Sequence, residues 1–108
     1  MHRRIAAALL EALLFRVCAV ISLDENGKIV DAVLLSTDWP QGRMRIAEGA
    51  KEVWLISNHP DGNILADEQD RHNHGLLVHM AGNVRVRFFL ASEYFPCFEA
   101  EIPKGQKI

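Results

Sequence analysis

The order of apolar and polar positions divides the chain into segments of different period. Ile5, Leu9, Leu10, Leu13 and Leu14 recur at helical spacing and leave Arg3, Arg4 and Glu11 for water, which predicts an amphipathic helix over residues 1–15. Arg16 to Leu23 is rich in Val, Ile and Cys and predicts a strand. Asp24-Glu25-Asn26-Gly27-Lys28 follows, and Asn-Gly favours the positive dihedrals of a tight hairpin turn. Ile29 to Leu35 is then the return strand of an antiparallel hairpin. Trp39-Pro40 and Gly42 mark a loop. Arg43 to Glu52 predicts a short helix, weakened by Gly49, which costs ~1 kcal/mol relative to Ala in a helix interior.

The continuous apolar run Val53-Trp54-Leu55-Ile56 has the length of a central strand covered on both faces. It gives way at Ser57-Asn58-His59 to a loop held by Pro60 and Gly62. Asp67 is a good N-cap and Asp70 stands three residues on, an acidic variant of the capping box. A helix from about Glu68 to Met80, ending near Gly82-Asn83, is the consequence. Val84, Val86 and Phe88 alternate with Arg85 and Arg87 as in a half-exposed strand. Tyr94 to Ala100 predicts a last strand, placed at an edge or a bulge by Pro96, and residues 103–108 read as a loose tail. This order predicts one α+β (or α/β) domain over residues 1–108, a mixed sheet flanked by helices.

Composition narrows the function classes. At 108 residues the chain is too short for two closed cores. Twelve Lys and Arg against fourteen Asp and Glu give no basic excess, so nucleic acid is not an expected partner. Cys18 and Cys97 sit in apolar runs and read as buried free thiols, consistent with a reducing, cytoplasmic compartment. The first 23 residues have the basic-then-apolar order of a secretory signal, but Glu11 and Arg16 interrupt it. A charge near the centre of a membrane helix costs roughly 2.5–3.5 kcal/mol. No small-x-small cleavage site follows, so neither a signal nor a membrane anchor is expected.

The candidate chemistry lies where the apolar strand ends. His59 follows it directly, and Asp70 stands eleven residues on in the first turn of a helix, close enough for the chain to fold back and join them. The stretch from Val53 to Gly62 with Asp70 downstream resembles the JAB/MPN metallopeptidase-like domain, most of all its RadC-type branch. Asn58, His59, Pro60, Gly62 and Asp70 match the family's loop at the right spacing, and the resemblance extends over about residues 16–99. Ser92-Glu93-Tyr94-Phe95 is similar to the family's closing strand. The resemblance implies a JAB/MPN-like (cytidine-deaminase-like) fold and a zinc site of two His, one Asp and a water, with a Glu as base. By that resemblance Ser57 stands where the first His belongs, Arg16 about where the base belongs, and Asp67 where a Ser would help to hold the oxyanion. The Asp-His pair typical of RadC proteins is absent around Arg87-Phe88. A hydroxyl is a poor zinc ligand, and an Arg cannot take a proton. Ser57, His59, Asp70 and Arg16 therefore read as a vestigial site.

A rebuilt site is the alternative. Asp70 and His74 are four apart on one helix face, and with His59 they offer zinc two imidazoles and a carboxylate. Plainer roles stand beside these. Asp67 is a cap, and Asp70 suits the helix dipole with or without a metal. His72 and His74 beside Arg71 read as exposed, whereas His79 near Leu76, Leu77 and Met80 reads as half-buried core. Trp54 reads as core, and Trp39 equally as an exposed contact or a loop anchor. Arg43, Arg45, Arg85 and Arg87 are either a cationic patch or the wet face of their elements. The expected function is a catalytically degenerate domain that binds another protein, with no cofactor, in the mobile-element setting common for RadC-like genes. The alternative is a zinc hydrolase using His59, Asp70 and His74. Were the chain to self-associate, the edge near Pro96 or the apolar first helix would be the surface.

Overall fold

The computed structural model describes residues 17–36, 44–59, 65–92 and 98–100. The expected helix over 1–15, the Trp39 loop, Arg16, Arg43, Tyr94 to Cys97 and the tail lie outside them. The described elements are β1 (Val17–Leu23), β2 (Ile29–Ser36), β3 (Glu52–His59), α1 (Glu68–Ala81), β4 (Arg85–Ser92) and β5 (Phe98–Glu99). Five strands form one mixed sheet in the order β2-β1-β3-β4-β5. β3 and β4 are parallel and α1 joins them, while every other neighbouring pair is antiparallel. This is an α+β arrangement. None of the described helices is long and apolar enough to cross a membrane.

The β1–β2 hairpin closes as its sequence predicts, with one difference. Gly27 alone takes a positive φ, at 79°, and Asn26 does not. The reason is Asp24, whose Oδ1 accepts from the backbone N of both Asn26 and Lys28 at 2.9 Å. Those bonds hold a five-residue connection, so the Asn-Gly pair is not a two-residue turn.

Alternation along β1, β3 and β4 separates two apolar layers. Ala19, Ile21, Leu23, Trp54, Ile56, Phe89 and Ala91 share one face of the sheet. Trp54 is core, as expected, and meets Phe89 edge to face with centroids 5.3 Å apart. Cys18, Val20, Val53, Leu55, Phe88 and Leu90 share the other face, together with Leu77 of α1 and Met44. The wet-face reading holds for Arg45 and Arg85, which are exposed, whereas Arg87 is half-buried with its guanidinium 5.2 Å from the Phe89 ring centroid. Arg45 makes a two-pronged pair with Asp31, Arg87 does so with Glu99, and Arg85 lies 3.7 Å from Glu52.

Three expectations are corrected. Residues 44–51 form no helix. The Ala50 N bonds to the Ala47 carbonyl across a turn at Glu48-Gly49, with Gly49 at φ 81°. Ala47 N goes to the Ser22 Oγ and Lys51 N to the Leu23 carbonyl, so the backbone is satisfied by β1 instead of by helical bonds. Second, β4 keeps the expected half-exposed pattern in its first half but runs on to Ser92, and Phe88 to Ala91 are all buried. Phe88 and Leu90 pack in the layer that contains Leu77 of α1, and Phe89 and Ala91 in the opposite layer with Trp54 and Ile56, so the second half of β4 is buried on both faces. Third, β3 runs past Ile56 to His59. Its pairing with β4 continues through Asn58↔Ala91 and His59↔Ser92, and a strand bonded in this way holds polar residues in extended form.

Candidate functional site

The site is built where β3 ends and α1 begins. Period-two alternation puts Ser57 and His59 on the α1 side of the sheet, in line with Val53 and Leu55. Ser57 and His59 are buried there, and Cys18 of β1 lies directly across from Ser57. Above them α1 presents its buried stripe, Asp70, Asn73, Leu77 and Ala81. Two of these four are polar, so the helix brings chemistry as well as packing to the sheet.

The start of α1 follows the expected capping box. Asp67 Oδ1 accepts from Asp70 N at 3.0 Å, and Asp70 Oδ2 accepts from Asp67 N at 3.1 Å. That exchange fixes the Asp70 carboxylate at the mouth of the helix, where the unpaired backbone N–H groups favour negative charge. The same Oδ2 accepts from His59 Nε2 at 2.7 Å, and both side chains are only 1 % exposed. The convergence of His59 and Asp70 foreseen from their spacing is therefore a direct, fully buried hydrogen bond.

A second polar link lies one turn further along α1. Asn73 Nδ2 donates to the Cys18 Sγ at 3.6 Å, and Asn73 Oδ1 accepts from Gln69 Nε2 at 3.2 Å. Cys18 is buried and in no disulfide, as its apolar surroundings predict. Asn73 itself was not legible as a site residue. The available signal was its place three residues after Asp70, on the same inward stripe.

Ligand-type atoms do gather here. A ring nitrogen of His59 and one carboxylate oxygen each from Asp67 and Asp70 lie within 4.8 Å of one another. His74 is not part of that group. Its ring stands edge to face against Phe88 of β4, centroids 6.3 Å apart, so it packs on the sheet beside the site. The reason is rotational, because the buried stripe passes through Asp70, Asn73 and Leu77 and leaves position 74 on its flank. The expected exposure of His74 is corrected accordingly to half-buried, while His72 is exposed as anticipated. His79 is exposed and not half-buried core, since it lies away from that stripe, and Met80 beside it is 48 % exposed. Arg16, the residue at the supposed base position, lies outside the described residues.

Burial pushes the His74 imidazole below its ordinary value of 6.5, because the charged ring loses water against Phe88. A histidine held below its unfolded pKa leaves the folded state short of protons relative to the unfolded chain. Its contribution to stability is therefore complete above pH 6.5 and is lost as the pH falls through that value toward the lowered one. Replacing His74 with Gln is expected to reduce the loss of stability over this window. Urea midpoints measured at several pH values for both proteins check it, and parallel curves would contradict it.

Compared with models of known protein families the chain matches none, and no curated protein matches it either. The assignment of function accordingly rests on the residues of this corner alone.

Proposed function

We propose that this chain is a catalytically degenerate JAB/MPN-like domain of the RadC type, with the cytidine-deaminase-like fold that this implies, acting as a protein-binding module in the cytoplasm. The single observation that carries the reading is the buried bond from His59 Nε2 to Asp70 Oδ2. That bond turns the His59 ring nitrogen onto the Asp70 carboxylate and ties the end of β3 to the start of α1. The same Asp70 oxygen also holds the first turn of α1. A pair that would serve zinc in an active relative is here engaged in fixing the helix to the sheet. Ser57 supports the same reading, since a neutral hydroxyl on this face adds no strong zinc donor. No base is assigned, and no cofactor is required. A mobile-element origin fits the RadC resemblance and is part of the proposal.

A second reading is favoured by the close grouping of His59, Asp67 and Asp70. One imidazole and two carboxylates suit a divalent ion, which would supply a polarised water, with these three residues as holders in place of the expected His59, Asp70 and His74 set. Metal analysis of protein purified without chelator, followed by thermal melts with and without EDTA, separates the two. The degenerate domain is expected to carry no stoichiometric metal and to melt at the same temperature in EDTA. Stoichiometric zinc with a melt that falls in EDTA overturns it, because a bound metal is linked to stability.

A further inference from the structure

The Asn26-Gly27 pair takes no part in the corner at His59 and Asp70, and it carries a chemistry of its own. The side-chain amide of an asparagine is open to attack by the backbone nitrogen of the next residue, and the attack is fastest where that residue has no side chain to hinder it. Of the five asparagines in the chain only Asn26 precedes a glycine, while the others precede His59, Ile64, His74 and Val84. Burial separates them again. Asn58 is 0 % and Asn73 7 % exposed, whereas Asn26 and Gly27 both lie open to water. A Cβ added at Gly27 would meet nothing within 4 Å, so no neighbouring group shields it. Asn83 is exposed as well, but the β-branched Val84 follows it. Asn63 lies outside the described residues.

We propose that Asn26 is a site of spontaneous deamidation and that Asp24 sets its rate. Gly27 N gives its proton to water and bonds to Asn26 Cγ, the Cγ–Nδ2 bond breaks, and ammonia leaves, which closes a five-membered imide. Water then opens the ring. Opening at Cγ leaves an aspartate at position 26, and opening at the main-chain carbonyl leaves an isoaspartate, in which the chain runs on through the former side chain. One water is taken up and one ammonia released, with no change of oxidation state. In the folded turn the attacking nitrogen is engaged, because Gly27 N donates to the Asp24 carbonyl at 3.0 Å. Asp24 Oδ1 accepts from Asn26 N and Lys28 N on either side, both at 2.9 Å. Asp24 thus holds three successive amides, and ring closure waits for the turn to open. The isoaspartate lengthens the main chain by one carbon between Asp24 and Lys28, the stretch closed by the 2.9 Å bond from Asp24 N to the Lys28 carbonyl. The β1–β2 register already shifts beside this turn, between Ser22 and Leu23, so the added atom loosens the start of β2.

Prolonged incubation of the folded protein at mildly alkaline pH tests this, read by peptide mass spectrometry and by methyl transfer with an isoaspartyl carboxyl methyltransferase. The peptide containing Asn26 is expected to show the mass of an amide-to-acid exchange before any other asparagine does, with isoaspartate as the methyl acceptor. Asn26→Gln, whose amide lies one carbon further from the attacking nitrogen, is expected to abolish both signals. Asp24→Ala is expected to raise the rate about fivefold or more, since two exposed bonds that hold the turn are lost. Asp24→Asn keeps an acceptor oxygen and is expected to stay near the wild-type rate, and thermal melts check that each variant folds. Hydrogen exchange is expected to be faster over Ile29–Leu35 in the isoaspartate fraction than in fresh protein, and unchanged in Asn26→Asp, which brings the charge without the longer chain. Deamidation that starts at another asparagine overturns the proposal, as does an intact Asn26 after an incubation that converts it in the urea-unfolded chain. Equal rates in wild type and Asp24→Ala refute the part given to Asp24.

Discussion

Replacing Asp70 with Ala is expected to destabilise the protein by about 3 kcal/mol, as read from urea unfolding, because a buried polar partner is removed and its mate is left behind. Asp70 is 1 % exposed and its Oδ2 serves two donors, His59 Nε2 and Asp67 N. The alanine strands a buried imidazole nitrogen and undoes one half of the capping box. Asp70→Asn keeps the shape and one acceptor oxygen, so it is expected to cost less, about 1–2 kcal/mol. The companion His59→Ala leaves a carboxylate that still caps the helix. The double variant is expected to be less destabilised than the sum of the two singles, with a coupling of about 1–3 kcal/mol. Additive losses would show that the two side chains stabilise the fold separately and would remove the basis for treating them as one unit.

Leu77→Ala is expected to cost about 2–5 kcal/mol and to loosen the whole helix. The buried stripe of α1 contains only two apolar residues, Leu77 and Ala81, beside the polar Asp70 and Asn73. Leu77 has no exposed surface and packs in the layer that includes Leu55, Phe88 and Leu90. Its truncation leaves a cavity between helix and sheet, with α1 held mainly by its N-terminal bonds. Hydrogen exchange is expected to quicken along α1, most in its second half, while β1 and β3 keep their protection until global unfolding. Unchanged exchange in α1 together with a loss below about 1 kcal/mol would mean that the polar corner alone anchors the helix.

These two variants also mark the boundary of what the residue pattern could reveal. The capping box at Asp67 and Asp70 was legible because it depends on a spacing of three and on donors within one turn. The hairpin was legible because Asp24 to Lys28 interrupts two apolar runs, although the two bonds made by Asp24 Oδ1, rather than Asn-Gly alone, set the form of the turn. The helix expected over Arg43 to Glu52 failed because Ser22 and Leu23 offered its backbone other partners. His79 was misread because the stretch Leu76, Leu77, Met80 does not say which side of α1 faces the sheet. Asn73 escaped notice because its partner, Cys18, is 55 residues away in the chain.

Local order therefore came from the sequence: the positions of β1, β2 and α1, the N-cap, the end of α1 at Gly82, and the spacing that lets residue 59 meet residue 70. Each depends on dihedral preference or on bonds within a few residues, and such interactions are written where they act. The tertiary structure alone decided that β3 lies between β1 and β4, and so that its bonded length reaches His59. It also decided that Asp67 rather than His74 joins the His59–Asp70 group, and that β2 stands at one end of the strand order. Those outcomes depend on which surfaces face one another once apolar area is withdrawn from water. Contacts between distant segments set that choice, and no short window of residues contains them.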